Sequence, residues 1–438
     1  MKKLAFHTLG CKVNQVETEQ IKEEFSDRGY QIVDFDEPAD IYIINTCTVT
    51  HVSDRKSRAM IRRAIRRNPA AVIVATGCVA QVDAGQLASI EGIDLVVGNN
   101  DKENLVAIVE DFLAREHTGV EVKVESIGQE DKPRAILYQH MHERARAFVK
   151  IQDGCQSFCT YCIVPYARGP VRSKQPEDVL REITHLVDLG YREIVLTGIH
   201  TGFYGVDLND WNLHRLLTAI LEQVRGQYRI RLSSLEPLEL EDRLLELIAD
   251  DRRICRHLHI PLQSGSNNIL KKMGRRYDSS YYLDLIQRAA SKIPGVALAA
   301  DVMVGFPSET QDDFAATYDL IEQSPLADLH VFKYSRRAGT RAAEMKEQVD
   351  EHEKQRRSEL LIELARKKQL EFVKQCRGQS FDLLVEQKIG IDKYTGITDN
   401  YIEIVLPSTQ DIRGQLCEII LTDTNQHGNF GQLCIEHN

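Results

Sequence analysis

Short apolar runs alternate with amphipathic stretches along most of this chain, and this alternation limits the possible folds more than any other feature. In the first 115 residues, runs typical of buried strands occupy 3–10, 40–47, 71–78 and 93–100. The stretches between them, 16–29, 53–68 and 82–91, have the periodicity of amphipathic helices. Such alternation predicts a parallel sheet with helices on both faces. We therefore expect residues 1–115 to form a doubly wound α/β domain.

A second alternating series begins near residue 146. Its strand candidates are 146–152, 192–198, 228–234, 257–263, 295–305 and 327–335, separated by helical stretches such as 175–190 and 278–293. Six βα repeats fit a partial (βα)6 barrel, because the closed form needs eight. The sequence thus predicts a polar linker over 116–140, whose weak alternation allows one extra strand, followed by a barrel domain over 141–372.

The end of the chain has a different pattern. A charged helix is predicted over 353–375, and after it short alternating runs, with Gly, Asn and Asp between them, replace the βα series. Five strands within roughly 60 residues are typical of a small barrel of the oligonucleotide-binding kind. Residues 375–438 are therefore expected to form a C-terminal β-barrel.

The composition excludes several other classes of protein. The chain has 438 residues, of which 42% are hydrophobic and 27% are charged, as in ordinary folded proteins. Its longest apolar stretches are far shorter than the roughly 20 residues of a membrane helix, and its N-terminus turns polar too early for a signal peptide. We expect a cytoplasmic protein with no membrane partner. Its net charge of −10 argues against a general nucleic-acid coat protein.

Three of the ten cysteines form a compact motif, Cys155-x3-Cys159-x2-Cys162, in the loop after the first predicted barrel strand. Three thiolates at this spacing can bind three irons of a [4Fe-4S] cluster and leave the fourth iron open to a small molecule. A zinc site would need a fourth protein ligand, and no Cys or His follows at the usual short spacing. The alternatives are a zinc knuckle or a chance grouping of structural thiols.

Cys11, Cys47 and Cys78 each follow a predicted parallel strand of the N-terminal domain. Because the carboxyl ends of such strands meet at one edge of the sheet, we expect these thiols to converge there. Gly10 and Gly77 precede two of them and allow close backbone approach. The spacing alone leaves two interpretations open, namely a second iron–sulfur site and three half-buried structural thiols.

The Cys155–Cys162 motif, on the first loop of a six-stranded partial barrel, resembles that of the radical S-adenosylmethionine superfamily. The resemblance implies that the open iron binds S-adenosylmethionine and that an electron from the cluster cleaves it to a 5′-deoxyadenosyl radical. It also implies that residues at the strand ends contact this cofactor. The candidates are Thr197, Gly198, Ser234, Gln263 and Gly305. Glycine and serine at strand ends are, however, more often part of an ordinary turn.

Four segments, TLGCKVNQVET, NTCTVT, TGCVAQ and DGCQSFCTYCIVPYARGP, are together similar to the methylthiotransferase family. The similarity covers essentially the whole chain. It implies an N-terminal cluster domain, a radical S-adenosylmethionine barrel and a C-terminal RNA-binding TRAM domain, in that order. It also implies that Cys11, Cys47 and Cys78 ligate an auxiliary [4Fe-4S] cluster, and that Cys155, Cys159 and Cys162 ligate the radical cluster.

Three branches of this family differ in substrate, which is N6-isopentenyladenosine in tRNA, N6-threonylcarbamoyladenosine at position 37 of tRNA, or an aspartate of a ribosomal protein. GCKVNQVET, NTCTVTHVSDRKSR and CTYCIVPYARGP most resemble the threonylcarbamoyladenosine branch. The resemblance implies an enzyme that replaces the hydrogen on carbon 2 of this adenine with a methylthio group. Its implied partners are the tRNA anticodon loop and a reductant protein such as flavodoxin or ferredoxin.

Residues 54–67 hold seven Lys or Arg and one Asp. Arg55, Arg58, Arg62 and Arg66 have the spacing of one helix face, which predicts contacts with RNA phosphates. The alternative is a solvated helix surface. A function of a different class, an iron–sulfur RNA-binding protein without catalysis, also remains open, although the open iron expected at Cys155–Cys162 argues against it.

Overall fold

The computed structural model describes residues 1–128, 133, 135–136, 145–425 and 428–434. The chain forms two compact units. The first unit comprises Met1–Tyr138, Gln152–Lys174 and Ser335–Glu344, and the second comprises Gln139–Ile151, Gln175–Tyr334 and Met345–Asn438. Part of the predicted linker 116–140 lies outside the described residues.

The strands are β1 (Lys3–Thr8), β2 (Gln31–Val33), β3 (Ile41–Thr46), β4 (Val72–Gly77), β5 (Leu95–Val97), β6 (Glu121–Lys123), β7 (Arg146–Asp153), β8 (Arg172–Ser173), β9 (Glu193–Gly198), β10 (Arg229–Leu232), β11 (His257–His259), β12 (Ala297–Val304), β13 (Asp328–Lys333), β14 (Ser380–Gly390), β15 (Lys393–Thr398), β16 (Glu403–Pro407), β17 (Leu416–Asn425) and β18 (Gly428–Leu433).

The helices are α1 (Lys12–Asp27), α2 (His51–Arg67), α3 (Cys78–Val82), α4 (Ala84–Ala88), α5 (Leu105–Ala114), α6 (Val164–Arg168), α7 (Pro176–Asp188), α8 (Leu213–Gln223), α9 (Asp242–Asp250), α10 (Asn267–Met273), α11 (Ser279–Lys292), α12 (Gln311–Gln323), α13 (Arg341–Glu344) and α14 (Glu351–Gln375). Short 3₁₀ helices cover Asn100–Asn104, Thr201–Phe203 and Pro237–Glu239.

The first unit contains a parallel sheet with strand order β2-β1-β3-β4-β5-β6. This confirms the predicted doubly wound fold. Alternate residues of β3 pack into opposite faces, since Ile43 joins a core with Phe25 of α1 while Ile44 joins a core with Ile61 of α2. Helices on both faces explain why every residue of β3 is buried, including the polar Asn45 and Thr46 at its end. The sequence pattern missed β2, whereas β6 is the extra strand expected within 116–140. Both are three-residue edge strands and only partly buried.

One predicted helix is wrong in its extent. The pattern over 82–91 predicts a single helix, whereas the structure has α3, which begins at Cys78, and α4, which begins at Ala84. Asp83 separates them with its backbone in a non-helical conformation, and its side chain accepts a hydrogen bond from the Gln86 N–H as the N-cap of α4. The first of these two helices begins at Cys78 itself, directly after β4.

All six strands predicted for the barrel are present, and they lie in the second unit except for Gln152 and Asp153 at the end of β7, which belong to the first. β9 pairs with β10, and β11, β12 and β13 pair in sequence, all in parallel. A parallel bridge between Ile230 and Ile254 continues the pairing beyond β10. The fourth strand ends at His259, earlier than the predicted 263, because Pro261 has no N–H for the ladder. Gln263 rejoins β12 through a single bridge to Val302.

The C-terminal strands form the expected small barrel, closed in the order β14-β15-β16-β18-β17. Two buried arginines of β10 fasten it to the sheet of the second unit. Arg229 donates to the carbonyls of Asp382 (2.6 Å) and Ile397 (2.7 Å), and Arg231 donates to that of Thr398 (2.9 Å). Glu193 of β9 lies between both guanidinium groups, at 2.6 Å from Arg229 and 2.7 Å from Arg231. No helix within the described ranges is long and apolar enough to span a membrane.

Candidate functional site

The three N-terminal cysteines lie at the carboxyl ends of neighbouring strands. Cys11 is the N-cap of α1, just beyond β1, whereas Cys47 directly follows β3 and Cys78 directly follows β4. The strand order reverses between β1 and β3, and in such sheets ligands bind outside the carboxyl ends at this point of reversal. The predicted convergence of the three strand ends on one edge is therefore present.

Two glycines make this convergence possible. Gly10 has φ +100°, and a Cβ atom there would lie 2.8 Å from the Cys47 sulfur. Gly77 has φ +97°, and a Cβ atom there would lie 2.5 Å from the Asn45 side-chain oxygen. Any larger residue at either position would push the cysteine loops apart, because L residues are strained at such φ and the space is already filled. Ser57 of α2 fixes Cys47 further by accepting a hydrogen bond from its N–H at 3.2 Å.

The three thiols of this set influence one another electrostatically. Desolvation, followed by the neighbouring Cys78, raises the pKa of Cys47 to about 11, and desolvation also raises the pKa of Cys11. Cys78 contributes to both shifts, and Cys11 contributes to that of Cys47. Three interacting cysteines are a donor set that suits an iron–sulfur cluster.

A buried polar network lies beside this cysteine set, and sequence reasoning assigned it no role. Glu17 of α1 accepts hydrogen bonds from Lys102 at 2.6 Å and from Arg168 at 3.2 Å. Arg168 also donates to Asn14. The amide of Asn14 in turn donates to the carbonyl of Leu9 (2.7 Å), shortly before Cys11, and to that of Thr46 (3.1 Å), directly before Cys47. Asn14, Glu17 and Arg168 stand within the quoted motifs, but nothing in their spacing indicates that they meet.

This network provides positive charge next to the thiols. Burial would lower the pKa of Arg168, but Glu17 and Asp153 outweigh it, so that its pKa is raised and the guanidinium stays charged. Arg168 in turn favours the thiolate form of Cys11, opposing the desolvation that raises the pKa of that thiol. Cations beside thiolates stabilise an anionic cluster, whose potential depends on such charges and hydrogen bonds.

The second cysteine set lies on a tightly turned loop of the same unit. A Cβ atom on Gly154, which has φ +76°, would lie 1.8 Å from the Pro170 carbonyl oxygen, so only glycine fits before Cys155. The Ser157 N–H donates to the Cys155 sulfur at 3.5 Å, and the Cys162 N–H donates to the Cys159 carbonyl at 2.9 Å. All three cysteines of this set are partly exposed. Accessible thiols on a turned loop with an N–H aimed at sulfur suit an iron–sulfur cluster that keeps one iron open.

A recess of about 590 Å³ is lined by residues from loops of both cysteine sets, and we call it the central recess. Its wall includes the residues that directly follow one cysteine in each of three loops, namely Thr48, Val79 and Ile163. Tyr166 lines it as well and is 55% exposed. Asn99 links the loops, since its amide donates to the Cys78 sulfur at 3.8 Å and to the Ala167 carbonyl at 2.7 Å. A group that enters the central recess therefore approaches both cysteine sets.

The arginines of α2 divide into two groups. Arg63 and Arg67 pair with Asp36, the latter at 2.9 Å. Arg58, Arg62 and Arg66 instead line a shallow recess of about 570 Å³, and Arg55 is exposed one turn earlier. Within the described ranges, Arg55, Arg62 and Arg66 form no ion pair. The side of α2 that was predicted to face phosphates thus carries cations that no carboxylate neutralises.

The cofactor candidates of the second unit lie at the carboxyl ends of its strands. Thr197 and Gly198 end β9, and Ser234 is exposed just beyond β10. Gln263 has φ +64° and exchanges both backbone hydrogen bonds with β12, so only its side chain is available to a ligand. The close packing of Lys354 explains why position 305 is a glycine, because a Cβ atom there would lie 2.2 Å from Cγ of Lys354.

His259, Asp301 and His330 form a further polar cluster on β11, β12 and β13. Asp301 lies 2.9 Å from Nε2 of His259 and 3.3 Å from Nδ1 of His330. Burial would raise the pKa of Asp301, but hydrogen bonds from both histidines outweigh it and lower the pKa. Hydrogen bonds between Asp301 and the two histidines explain why these residues lie together. The sequence did not indicate this cluster, because its three members are far apart in the chain.

Two family models match the chain. The uncharacterized protein family UPF0004 matches residues 3–98, and the radical SAM superfamily matches residues 149–321. Among solved structures, the chain is similar to the radical S-adenosylmethionine methyltransferase TsrM from Kitasatospora setae, with a TM-score of 0.59 over 89% of this chain and 79% of that one. At 14% identity, this likeness concerns the fold alone.

Curated relatives match over nearly their whole length. The threonylcarbamoyladenosine tRNA methylthiotransferase MtaB of Bacillus subtilis is 42% identical over 99% of this chain and 96% of its own, and that of Aquifex aeolicus is 40% identical over 96% and 100%. The tRNA-2-methylthio-N(6)-dimethylallyladenosine synthase of Carboxydothermus hydrogenoformans is 37% identical over 95% and 96%. These matches confirm the resemblance carried by the cysteine motifs. The chain belongs to the methylthiotransferase family of radical S-adenosylmethionine enzymes.

Proposed function

We propose that this protein replaces the hydrogen on carbon 2 of N6-threonylcarbamoyladenosine at position 37 of tRNA with a methylthio group. The observation that carries this proposal is the central recess, whose wall contains the residues next to Cys47, Cys78 and Cys162. A reaction that needs two metal groups at one carbon atom requires such a position between them. The relatives named for this substrate, at 42% and 40% identity, support the choice of nucleoside.

In this proposal Cys155, Cys159 and Cys162 hold the cluster that binds S-adenosylmethionine. When bound, the cluster and S-adenosylmethionine supply the radical chemistry that an unactivated C–H bond requires. Thr197, Gly198, Ser234, Gln263 and Gly305 are the proposed contacts of this cofactor. The protein contributes orientation, and it keeps water away from the reacting atoms.

Cys11, Cys47 and Cys78 are the proposed ligands of the auxiliary [4Fe-4S] cluster. Gly10 and Gly77 keep their loops close, and Asn14 holds the backbone beside Cys11 and Cys47 in place. Lys102 and Arg168 place buried cations in this network, where Glu17 pairs with both and Asp153 pairs with Arg168. Tyr166 offers an aromatic face on which an unstacked adenine can lie.

Two surfaces are proposed to bind the RNA. Arg55, Arg58, Arg62 and Arg66 contact the anticodon loop, where Arg55, Arg62 and Arg66 neutralise its phosphates, and the barrel within 375–438 acts as a TRAM domain. A small β-barrel can grip RNA through its sheet face and loops. A reductant protein such as flavodoxin or ferredoxin is the proposed electron donor. The proposed location is the cytoplasm, which a tRNA substrate supports.

The function is tested by mass spectrometry of tRNA nucleosides. Anaerobically purified protein, a reductant and S-adenosylmethionine are incubated with tRNA that carries either N6-threonylcarbamoyladenosine or N6-isopentenyladenosine. We expect a methylthio product from the first tRNA and little from the second. Product from the isopentenyl tRNA alone, or 5′-deoxyadenosine without any methylthio product on either tRNA, would contradict the proposal.

Iron content distinguishes two separate clusters from one shared site. The reconstituted protein is expected to hold about eight irons per chain. Replacing Cys11, Cys47 and Cys78 together by Ala should leave about four, and replacing Cys155, Cys159 and Cys162 should do the same, because each set is an independent ligand set. Loss of all iron in either triple variant would show that the sites depend on each other.

The arginines of α2 are tested through the salt dependence of tRNA binding. Changing Arg55, Arg62 and Arg66 to Gln should weaken binding and reduce the slope of log K against log[salt] by roughly 0.7–0.9 for each phosphate that is no longer neutralised, because fewer counterions are released. Arg63→Gln is the matched control, since Arg63 already pairs with Asp36. An unchanged slope in the triple variant would favour a solvated helix surface instead.

A further inference from the structure

The central recess contains four charged side chains, and they are not equivalent. Asp54, Arg58, Asp83 and Arg337 all line it. Arg337, which is 8% exposed, donates to the Thr48 hydroxyl and pairs with Asp54 at 2.7 Å. Asp83 accepts a hydrogen bond from the Gln86 N–H as the N-cap of α4. The positive charge of Arg337 is thus already matched by a carboxylate.

Arg58 differs from Arg337 in its partner. In the part of the chain that the structure describes, its one hydrogen-bond partner is the neutral side-chain oxygen of Gln86, at 2.7 Å from Nη1. Arg58 lines both the central recess and the shallow recess along α2, and it is only partly exposed. Its guanidinium is therefore a cation in the wall of the central recess with unused donors. Among the described residues it forms no ion pair, because Asp54 of the same wall pairs with Arg337 and Asp83 caps α4.

The proposed substrate carries the matching group. A threonylcarbamoyl substituent ends in a carboxylate, and a guanidinium binds a carboxylate through two parallel hydrogen bonds. An isopentenyl substituent has no polar atom. In the same place it would leave Arg58 desolvated without a partner, and sites with such groups reject substrates that cannot pair with them.

Resting on the proposed function, we propose that Arg58 binds the threonine carboxylate of the modified adenosine and sets the preference for this nucleoside over the isopentenyl one. The other arginines of this helix face, Arg62 and Arg66, do not line the central recess. They contact phosphates, whereas Arg58 recognises the substituent itself.

The test measures the binding of two RNAs to the unaltered protein and to three variants. An anticodon stem-loop carries either N6-threonylcarbamoyladenosine or the same group with its carboxylate converted to a carboxamide, and binding to the full-length, anaerobically purified protein is measured by fluorescence anisotropy. For the carboxylate RNA, Arg58→Gln should weaken binding by about 10- to 100-fold, the loss expected for a charge-assisted contact. For the carboxamide RNA it should change binding by no more than about threefold. Arg62→Gln should weaken both RNAs equally.

Equal weakening of both RNAs by Arg58→Gln would overturn this inference and make Arg58 a phosphate contact. Arg58→Lys, which keeps the charge but not the paired geometry, should retain part of the preference and shows whether the position tolerates replacement. The binding comparison does not depend on turnover. If wild-type protein prefers the carboxylate RNA but makes no methylthio product, the proposed function fails while the recognition by Arg58 stands.

Discussion

Cys159→Ala is expected to abolish the formation of 5′-deoxyadenosine, whereas Cys47→Ala should keep part of it and lose the methylthio product. The two cysteines belong to separate sets on separate loops of the first unit. Cys159 is a proposed ligand of the group that binds and cleaves S-adenosylmethionine. Cys47 lies against Gly10 in the N-terminal set, so its loss leaves Cys155, Cys159 and Cys162 complete. Both products are quantified by liquid chromatography and mass spectrometry under anaerobic conditions.

A suitable control is Cys417→Ala, since Cys417 lies on β17 of the C-terminal barrel and belongs to neither set. This variant should form both products at the rate of the unaltered protein. If Cys47→Ala still produced methylthio-modified tRNA, the proposed role of the N-terminal cysteines would be wrong. If Cys159→Ala still released 5′-deoxyadenosine, the role of the Cys155–Cys162 loop would be wrong.

Glu193→Ala should strongly destabilise the second unit. The substitution leaves Arg229 and Arg231, both almost fully buried, without their carboxylate partner. Removal of one member of a buried ion pair costs about 3–5 kcal/mol. For a unit of this size the midpoint of thermal unfolding should fall by roughly 5–10 °C. Glu246→Ala removes an exposed pair with Lys292 and is the control, expected to change the midpoint by no more than about 2 °C.

The same residue gives the protein a dependence on pH. Burial alone would raise the pKa of Glu193, but Arg231 and Arg229 outweigh it and bring the pKa to about 2. Because this pKa is lower in the folded than in the unfolded protein, the stabilisation is complete above about pH 5 and is lost as the pH falls toward 2. The shift corresponds to about 3 kcal/mol. Unfolding midpoints measured between pH 6 and 3 should therefore fall more steeply for the unaltered protein than for Glu193→Ala.

The strand pattern and the cysteine positions could be predicted because they depend on local sequence. Buried parallel strands such as β3 contain apolar runs, and Cys11, Cys47 and Cys78 each follow such a strand. The ends of strands and helices could not be predicted in the same way, because single residues set them and leave no periodic pattern in the sequence. Pro261 shortens β11, and Asp83 divides one predicted helix into α3 and α4.

The polar surroundings of the cysteines could not be predicted, because they depend on contacts between distant residues. Glu17 meets Lys102 and Arg168 only after the sheet has formed, and no local pattern distinguishes these side chains from solvated ones. The same applies to Arg58 and Arg337, which have similar chemistry but different partners in the central recess. The sequence showed only that α2 is rich in positive charge. The structure was needed to show that Arg337 pairs with a carboxylate and that Arg58 does not.

The contact between Glu17 and Arg168 also has a consequence for how the chain is made. A ribosome adds about 5–20 residues per second, so the strands of the first sheet emerge several seconds before Arg168. Until then Asn14 and Glu17 lack a donor that they have in the finished protein. The nascent N-terminal segment therefore waits for a later part of the chain before its interior is complete. An exchange of this segment between related proteins would have to carry residues 152–174 with it.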